Sequence, residues 1–176
     1  MGDFATTLKT LSFARVFYPP HDPLAFVLAC VSICHLPALG ALVGAFLVTT
    51  DAFYLLALAA VFANEACNAL IKKAVADERP VFSAHQNAGF PSSHAQFWAV
   101  FLLLVVSHVF KTRHLSRRGR AVISGCALAF LLVVDFSRWY LGDHYWYQII
   151  AGNVVGVVVF SIVHFVTPMV LPPLQH

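Results

Sequence analysis

The chain has little charge: 11% of its 176 residues are Asp, Glu, Lys or Arg, against 60% hydrophobic residues and a mean hydropathy of +0.78. That shortage excludes an ordinary soluble domain, in which charged residues make up about a quarter of the composition. The short alternating segments of a membrane barrel are missing too. Long apolar runs must therefore span as helices, which satisfy their own backbone groups in lipid. Cysteine is scarce: Cys30, Cys34, Cys67 and Cys126 all fall inside apolar runs, where a thiol packs as a small hydrophobe. Cys30 and Cys34 share a helix face, but no further ligand stands near them to complete a metal site. No basic stretch leads into an apolar core at the start, which argues against a cleaved signal peptide, and no N-x-S/T acceptor occurs. The opening M-G-D-F-A-T fits an acylation pattern and is read as a chance match.

What remains is five apolar runs, at 24–49 with a kink expected at Pro37, 53–71, 94–110, 121–140 and 146–166. Pro168, Pro172 and Pro173 are expected to end the last. The pattern predicts an all-α, polytopic transmembrane bundle of about five spans in a single domain over 1–176, and residues 1–20 offer an N-terminal interfacial helix. The 111–120 loop, K-T-R-H-L-S-R-R-G-R, holds five Lys/Arg and no acid, so it should face the cytoplasm. The polar breaks at 74–93 and 141–145 then share the opposite face, with the C-terminus in the cytoplasm.

Three stretches bordering those breaks collect the unusual polar residues: K-K-A-V-A-D-E-R-P, P-S-S-H and S-R-W-Y-L-G-D-H-Y-W-Y-Q. Lys72, Arg79 and Arg138 offer a point charge and two guanidinium forks, which suits a phosphate with several anionic oxygens. Ser92 and Ser93 begin a helix, where hydroxyls, N–H groups and the dipole favour an anion. Two histidines, His94 and His144, supply the number that a phosphohistidine mechanism requires: one attacks phosphorus and one protonates the leaving oxygen. No acidic cluster that would hold magnesium lies on this face, so charge neutralisation falls to the basic side chains. Any one of the cations alone would be an interfacial anchor. Their convergence on one face is what points to a site.

K-x6-R-P, P-S-x-H and S-R-x5-H, in that order, resemble the three-part signature of the type 2 phosphatidic acid phosphatase superfamily. The resemblance implies a catalytic set of His144 as nucleophile, His94 as acid and Gln148 as the group orienting His144. It implies phosphate binding by Lys72, Arg79, Ser92, Ser93 and Arg138, with the N–H at position 93 in the cradle, and neither metal nor cofactor. The common family pattern has glycine where Ser93 stands and aspartate where Gln148 stands. A glutamine still accepts from the Nδ1–H but stabilises an imidazolium less, so Asp143 or Glu65 is expected to compensate.

Both departures resemble the dolichyl diphosphate phosphatase branch, whose motifs read P-S-S-H-[SA]-Q-F and S-R-x-Y-L-x-x-H-x-x-x-Q. N-E-A-C-N-A-L-I-K and V-F-Y-P are similar to further branch patterns. The resemblance implies a polyisoprenyl diphosphate substrate among membrane lipids, no nucleic-acid partner, and an endoplasmic reticulum membrane location with the site facing the lumen. Other lipid phosphates, and a non-catalytic lipid binder or scramblase, are the alternatives. Asn64, Glu65, Asn68 and Lys72 recur at helical spacing, which fits either a shell around Lys72 or a polar seam between spans. His35, His108 and His164 read as hydrogen-bonded packing, His114 as part of the basic loop, and His85 as a candidate substrate contact.

Overall fold

The computed structural model describes residues 8–11, 16–112 and 114–170, with side chains as far as 166. Six helices follow a short hairpin: α1 Pro23–Ile33, α2 His35–Thr49, α3 Ala52–Val75, α4 Ser93–Lys111, α5 Arg117–Tyr140 and α6 Trp146–Val170. They make five stretches long and apolar enough to cross a bilayer, because α1 and α2 together form the first, Pro23–Thr49. Local chemistry sets the starts. The side chains of Asp22, Asp51 and Ser116 accept from Ala25, Phe53 and Gly119 N–H respectively, closing the first turns of α1, α3 and α5.

The first span breaks at Cys34 rather than at Pro37. Proline has no N–H for the carbonyl of Ile33, four residues back, and its ring crowds that carbonyl. The helix therefore stops at Ile33 and restarts when Ala38 N–H bonds Cys34 O at 3.1 Å. At the other end Pro168 lies inside α6 instead of ending it. This close to the terminus its missing N–H forfeits a single ladder bond; Pro172 and Pro173 fall outside the described residues.

The interfacial helix expected over 1–20 does not form in its described part. Lys9–Leu11 (β1) and Val16–Tyr18 (β2) pair antiparallel, with Thr10 opposite Phe17. V-F-Y is β-branched and aromatic, and Pro19 and Pro20 stop any continuation.

α4 is the central helix, packed on α3, α5 and α6, with Ala95 to Val100 buried without interruption. Large apolar side chains such as Leu47, Leu70, Leu132 and Phe165 instead point outward, as lipid requires. Two glycines one turn apart on α6 bring its backbone onto α4. A Cβ at Gly156 would stand 2.7 Å from both Ala99 Cβ and Gln96 O, and one at Gly152 would meet Ala95 Cβ at 3.1 Å. The starts of α4 and α6 consequently lie side by side, and Ser92 N–H donates to Gln148 O at 2.9 Å.

Across α3 and α4 runs a polar seam. Gln96 Nε2 donates to Asn64 Oδ1 at 2.8 Å, and Asn68 Nδ2 donates to Gln96 Oε1 at 2.7 Å and to Pro91 O at 3.3 Å. Asn68 therefore anchors the P-S-S-H turn at Pro91, and Asn64 holds Gln96 in the helix turn that follows. Glu65 is exposed on a neighbouring face of α3, away from that seam.

Candidate active site

α3 ends at Lys72 and Lys73, the 76–92 loop carries Arg79, α4 begins at Ser93, and α5 ends in the turn to α6. In that turn Gly142 sits at φ +71°, a left-handed conformation open to glycine at little cost, and lets Asp143 and His144 N–H both return to Arg138 O at 3.1 and 3.2 Å. All these ends meet on one face of the bundle. Exposed Trp139, Trp146 and Tyr147 lie at the same level, the side chains that favour a membrane–water boundary.

Arg79, Ser93, His94, Arg138 and His144 line a single cavity of about 780 Å3. The hairpin and the 76–92 loop close over it, with Phe17 edge-on to His85 at 5.4 Å. Arg138 is 2% exposed. Its Nη1 donates to Ser32 Oγ at 2.9 Å and its Nη2 to the Asp143 carboxylate. Asp143 also faces His85 Nε2 at 3.6 Å. Lys72 reaches Ala88 O at 3.0 Å, stiffening the loop behind Arg79. Ser92 is fully buried at the contact with α6, while Ser93 faces the cavity.

His144, 2% exposed, is held from both ring nitrogens. Arg79 Nη1 lies 3.1 Å from Nε2, and Gln148 Oε1 lies 3.2 Å from Nδ1. A guanidinium can only donate, so Nε2 carries the lone pair and Nδ1 the proton, which it donates to Gln148. Arg79 is itself fixed by bonds from Nε to Asn87 O and Oδ1, both 3.0 Å, and from Nη1 to Asp143 O at 2.9 Å. An unprotonated imidazole nitrogen, its lone pair met by Arg79, thus faces a cation-lined pocket; once a phosphate takes over the guanidinium, that nitrogen is able to attack an anionic phosphorus centre.

Burial first, and then the charges of Arg79, Arg138 and Lys72, push His144 down to about 2. In the unfolded chain its value returns to the ordinary 6.5. The stabilising contribution of this neutral imidazole is therefore complete above pH 6.5 and is lost as pH falls from there toward 2. In a pH series on 15N-histidine-labelled protein, His144 is expected to stay neutral through the mildly acidic range in which an exposed histidine titrates. Titration near the ordinary value would contradict the geometry.

Neither expected compensator for the missing aspartate touches His144. Asp143 is engaged by Arg138, and Glu65 lines a different cavity. The carboxylate that the sequence did not single out is Asp77, whose Oδ2 accepts from Gln148 Nε2 and from Tyr147 OH, each at 2.7 Å. Its only signal is its place two residues before Arg79. Ser32, clamped against Arg138 from 106 residues away, had no local signal. His35 is hydrogen-bonded packing as expected, with the added feature that it packs on a site residue: its Nδ1 bonds Ser32 O at 2.9 Å, and its ring stands edge-on to His94 at 5.1 Å. Together with Glu65, these rings border a mainly apolar slot of about 270 Å3 between α2, α3 and α4. His108 and His164 stack on Phe53 and Phe160, as packing residues do.

A multi-pass helical bundle with a buried imidazole and a guanidinium pair at one membrane face has the groups that bind and attack a phosphate at the membrane surface. Residues 53–170 match the PAP2 superfamily, and the chain belongs to that superfamily as a membrane phosphatase. It is 29% identical to human "Dolichyldiphosphatase 1" over 94% of this chain and 74% of that protein. To the Saccharomyces cerevisiae "Dolichyldiphosphatase" it is 26% identical over 88% of this chain and 69% of the other. Its fold is similar to that of a Bacillus subtilis transmembrane PAP2 type phosphatidylglycerolphosphate phosphatase, with a TM-score of 0.75, 20% identity, and coverage of 88% of this chain and 82% of that one.

Proposed function

We propose that this membrane phosphatase hydrolyses dolichyl diphosphate to dolichyl phosphate and inorganic phosphate on the lumenal face of the endoplasmic reticulum membrane, returning the lipid carrier to protein N-glycosylation. The observation that carries the chemistry is the imidazole of His144 held between Arg79 at Nε2 and Gln148 at Nδ1, which keeps the proton on Nδ1 and the lone pair on Nε2. The substrate reading is supported by relatives named as dolichyldiphosphatases over nearly the whole chain.

In this mechanism Arg79, Arg138 and Ser93 hold the terminal phosphate, while Lys72, which does not line the cavity and donates to Ala88 O, adds its positive charge from behind the loop; together the cations offset the negative charge that would repel a nucleophile. Nε2 attacks phosphorus, the bond to the bridging oxygen breaks, and His94 donates a proton to the departing dolichyl phosphate. The Nδ1–H stays on Gln148, so the phosphohistidine is cationic and a good leaving group. Water, deprotonated by His94, then attacks phosphorus; the P–N bond breaks and inorganic phosphate leaves. Ser92, buried behind the cradle, sets the position of α4 against α6.

The test is phosphate release by purified protein from dolichyl diphosphate, undecaprenyl diphosphate and phosphatidate, with a chelator present throughout. The expected order puts dolichyl diphosphate first in kcat/KM. Preference for phosphatidate would overturn the substrate, and an absolute need for a divalent cation would overturn the mechanism.

A further inference from the structure

Gln148 is an amide, and an amide can face His144 in two ways. With Oε1 toward the ring it accepts the Nδ1–H and leaves Nε2 bare. With its NH2 toward the ring it would demand a lone pair on Nδ1, drive the proton to Nε2 and abolish the nucleophile. Arg79, donating to Nε2, favours the first tautomer from the cavity side, and the surroundings of the amide decide which way Gln148 faces. On the far side of Gln148 lie the Asp77 carboxylate at 2.7 Å and Glu78 O at 2.8 Å, both acceptors. Turning the amide over would aim Oε1 at both of them. Tyr145 N–H adds to the bias, donating to Oε1 at 3.2 Å.

We propose that Asp77 is a positioning residue that locks the amide of Gln148 in the one orientation that keeps the proton on His144 Nδ1 and off the attacking Nε2. The inference rests on the reading of His144 as nucleophile. Asp77 is suited to the task because it is fixed independently: Tyr147 OH donates to Oδ2 at 2.7 Å, and Gly89 N–H donates to Asp77 O at 2.7 Å. The donors Gln148 and Tyr147 hold its carboxyl below the usual range, so it remains an anion. Gly89 is also what lets the loop close this far, since a Cβ there would stand 2.7 Å from Gln148 Nε2. The carboxylate thus reaches the histidine through one intervening amide.

Both bonds use one oxygen, Oδ2, so asparagine can reproduce them and alanine cannot. The test compares Asp77→Ala, Asp77→Asn and Gln148→Glu with wild type, alongside His144→Ala as the control for the underlying reading. Asp77→Ala is expected to lose about tenfold or more in kcat with KM little changed, the behaviour of a wrong tautomer in a bound complex. Asp77→Asn is expected to recover most of that loss. In 15N spectra His144 Nε2 should be unprotonated in wild type and Asp77→Asn, and partly protonated in Asp77→Ala. Gln148→Glu, which cannot present an NH2 to the ring, should make a second Asp77→Ala substitution nearly silent in kcat. A single tautomer and wild-type kcat in Asp77→Ala would overturn the proposal, and so would equal losses in Asp77→Ala and Asp77→Asn. Activity surviving in His144→Ala would instead overturn the nucleophile assignment.

Discussion

His144→Ala is expected to reduce phosphate release by about a hundred-thousand-fold or more, the scale on which loss of a nucleophile removes the reaction path itself. Binding of inorganic phosphate should survive, because Arg79, Ser93 and Arg138 remain around the cavity. His94→Ala is expected to cost less, and by an amount that depends on substrate. General-acid assistance is worth about a hundred- to ten-thousand-fold, rising as the leaving group becomes more basic. Dolichyl phosphate departs as a stabilised phosphate anion, so the loss should fall at the low end; phosphatidate must expel an alkoxide, so its loss should be greater. Parallel steady-state assays on the two substrates check both variants, and equal losses for His94→Ala would contradict the acid role.

Arg138→Ala should damage stability and catalysis by separable routes. Its guanidinium is buried against Ser32 and Asp143, and removing it leaves the Asp143 carboxylate facing His85 Nε2 at 3.6 Å in place of a buried guanidinium. Breaking a buried ion pair from one side costs about 3–5 kcal/mol. A lower melting temperature in detergent is the expected readout. Deleting the lone carboxylate as well, in Arg138→Ala/Asp143→Ala, should recover a large part of that stability. Activity should stay depressed by about a hundred- to a thousandfold, as when one preorganised electrostatic donor is lost. If the double variant regained activity along with stability, Arg138 would serve the fold alone.

Five spans and the shared face of the three motifs were legible because both are local properties: a run of apolar residues must be long enough to cross, and polar breaks must lie at its ends. Asn64 and Asn68 were legible only as a shell around Lys72 or a polar seam between spans; Gln96, the side chain across from both, stood out as a motif residue and not as their partner. The break at Cys34 was nearly legible. Pro37 gave the disturbance, but its effect falls on the carbonyl four residues back, so the sequence position and the structural position differ. What stayed hidden are contacts between distant segments. Ser32 on Arg138 and Asp77 behind Gln148 join residues 106 and 71 apart, with no periodicity to betray them. Compensation for the absent aspartate was sought in Asp143, next to His144, and in Glu65, whereas the carboxylate that bonds Gln148 is Asp77, from the loop between α3 and α4.

The Gly152 and Gly156 contact has a consequence for life in a bilayer of changing thickness. α6 follows directly from the turn that carries His144, and α4 begins beside His94; the two helices touch through backbone at Gly156 rather than through long, deformable side chains. Spans commonly answer a thicker or thinner membrane by tilting against one another. A pair locked backbone to side-chain stub tilts as one body, so the spacing of the two histidines is a ruler that the surrounding lipid does not stretch.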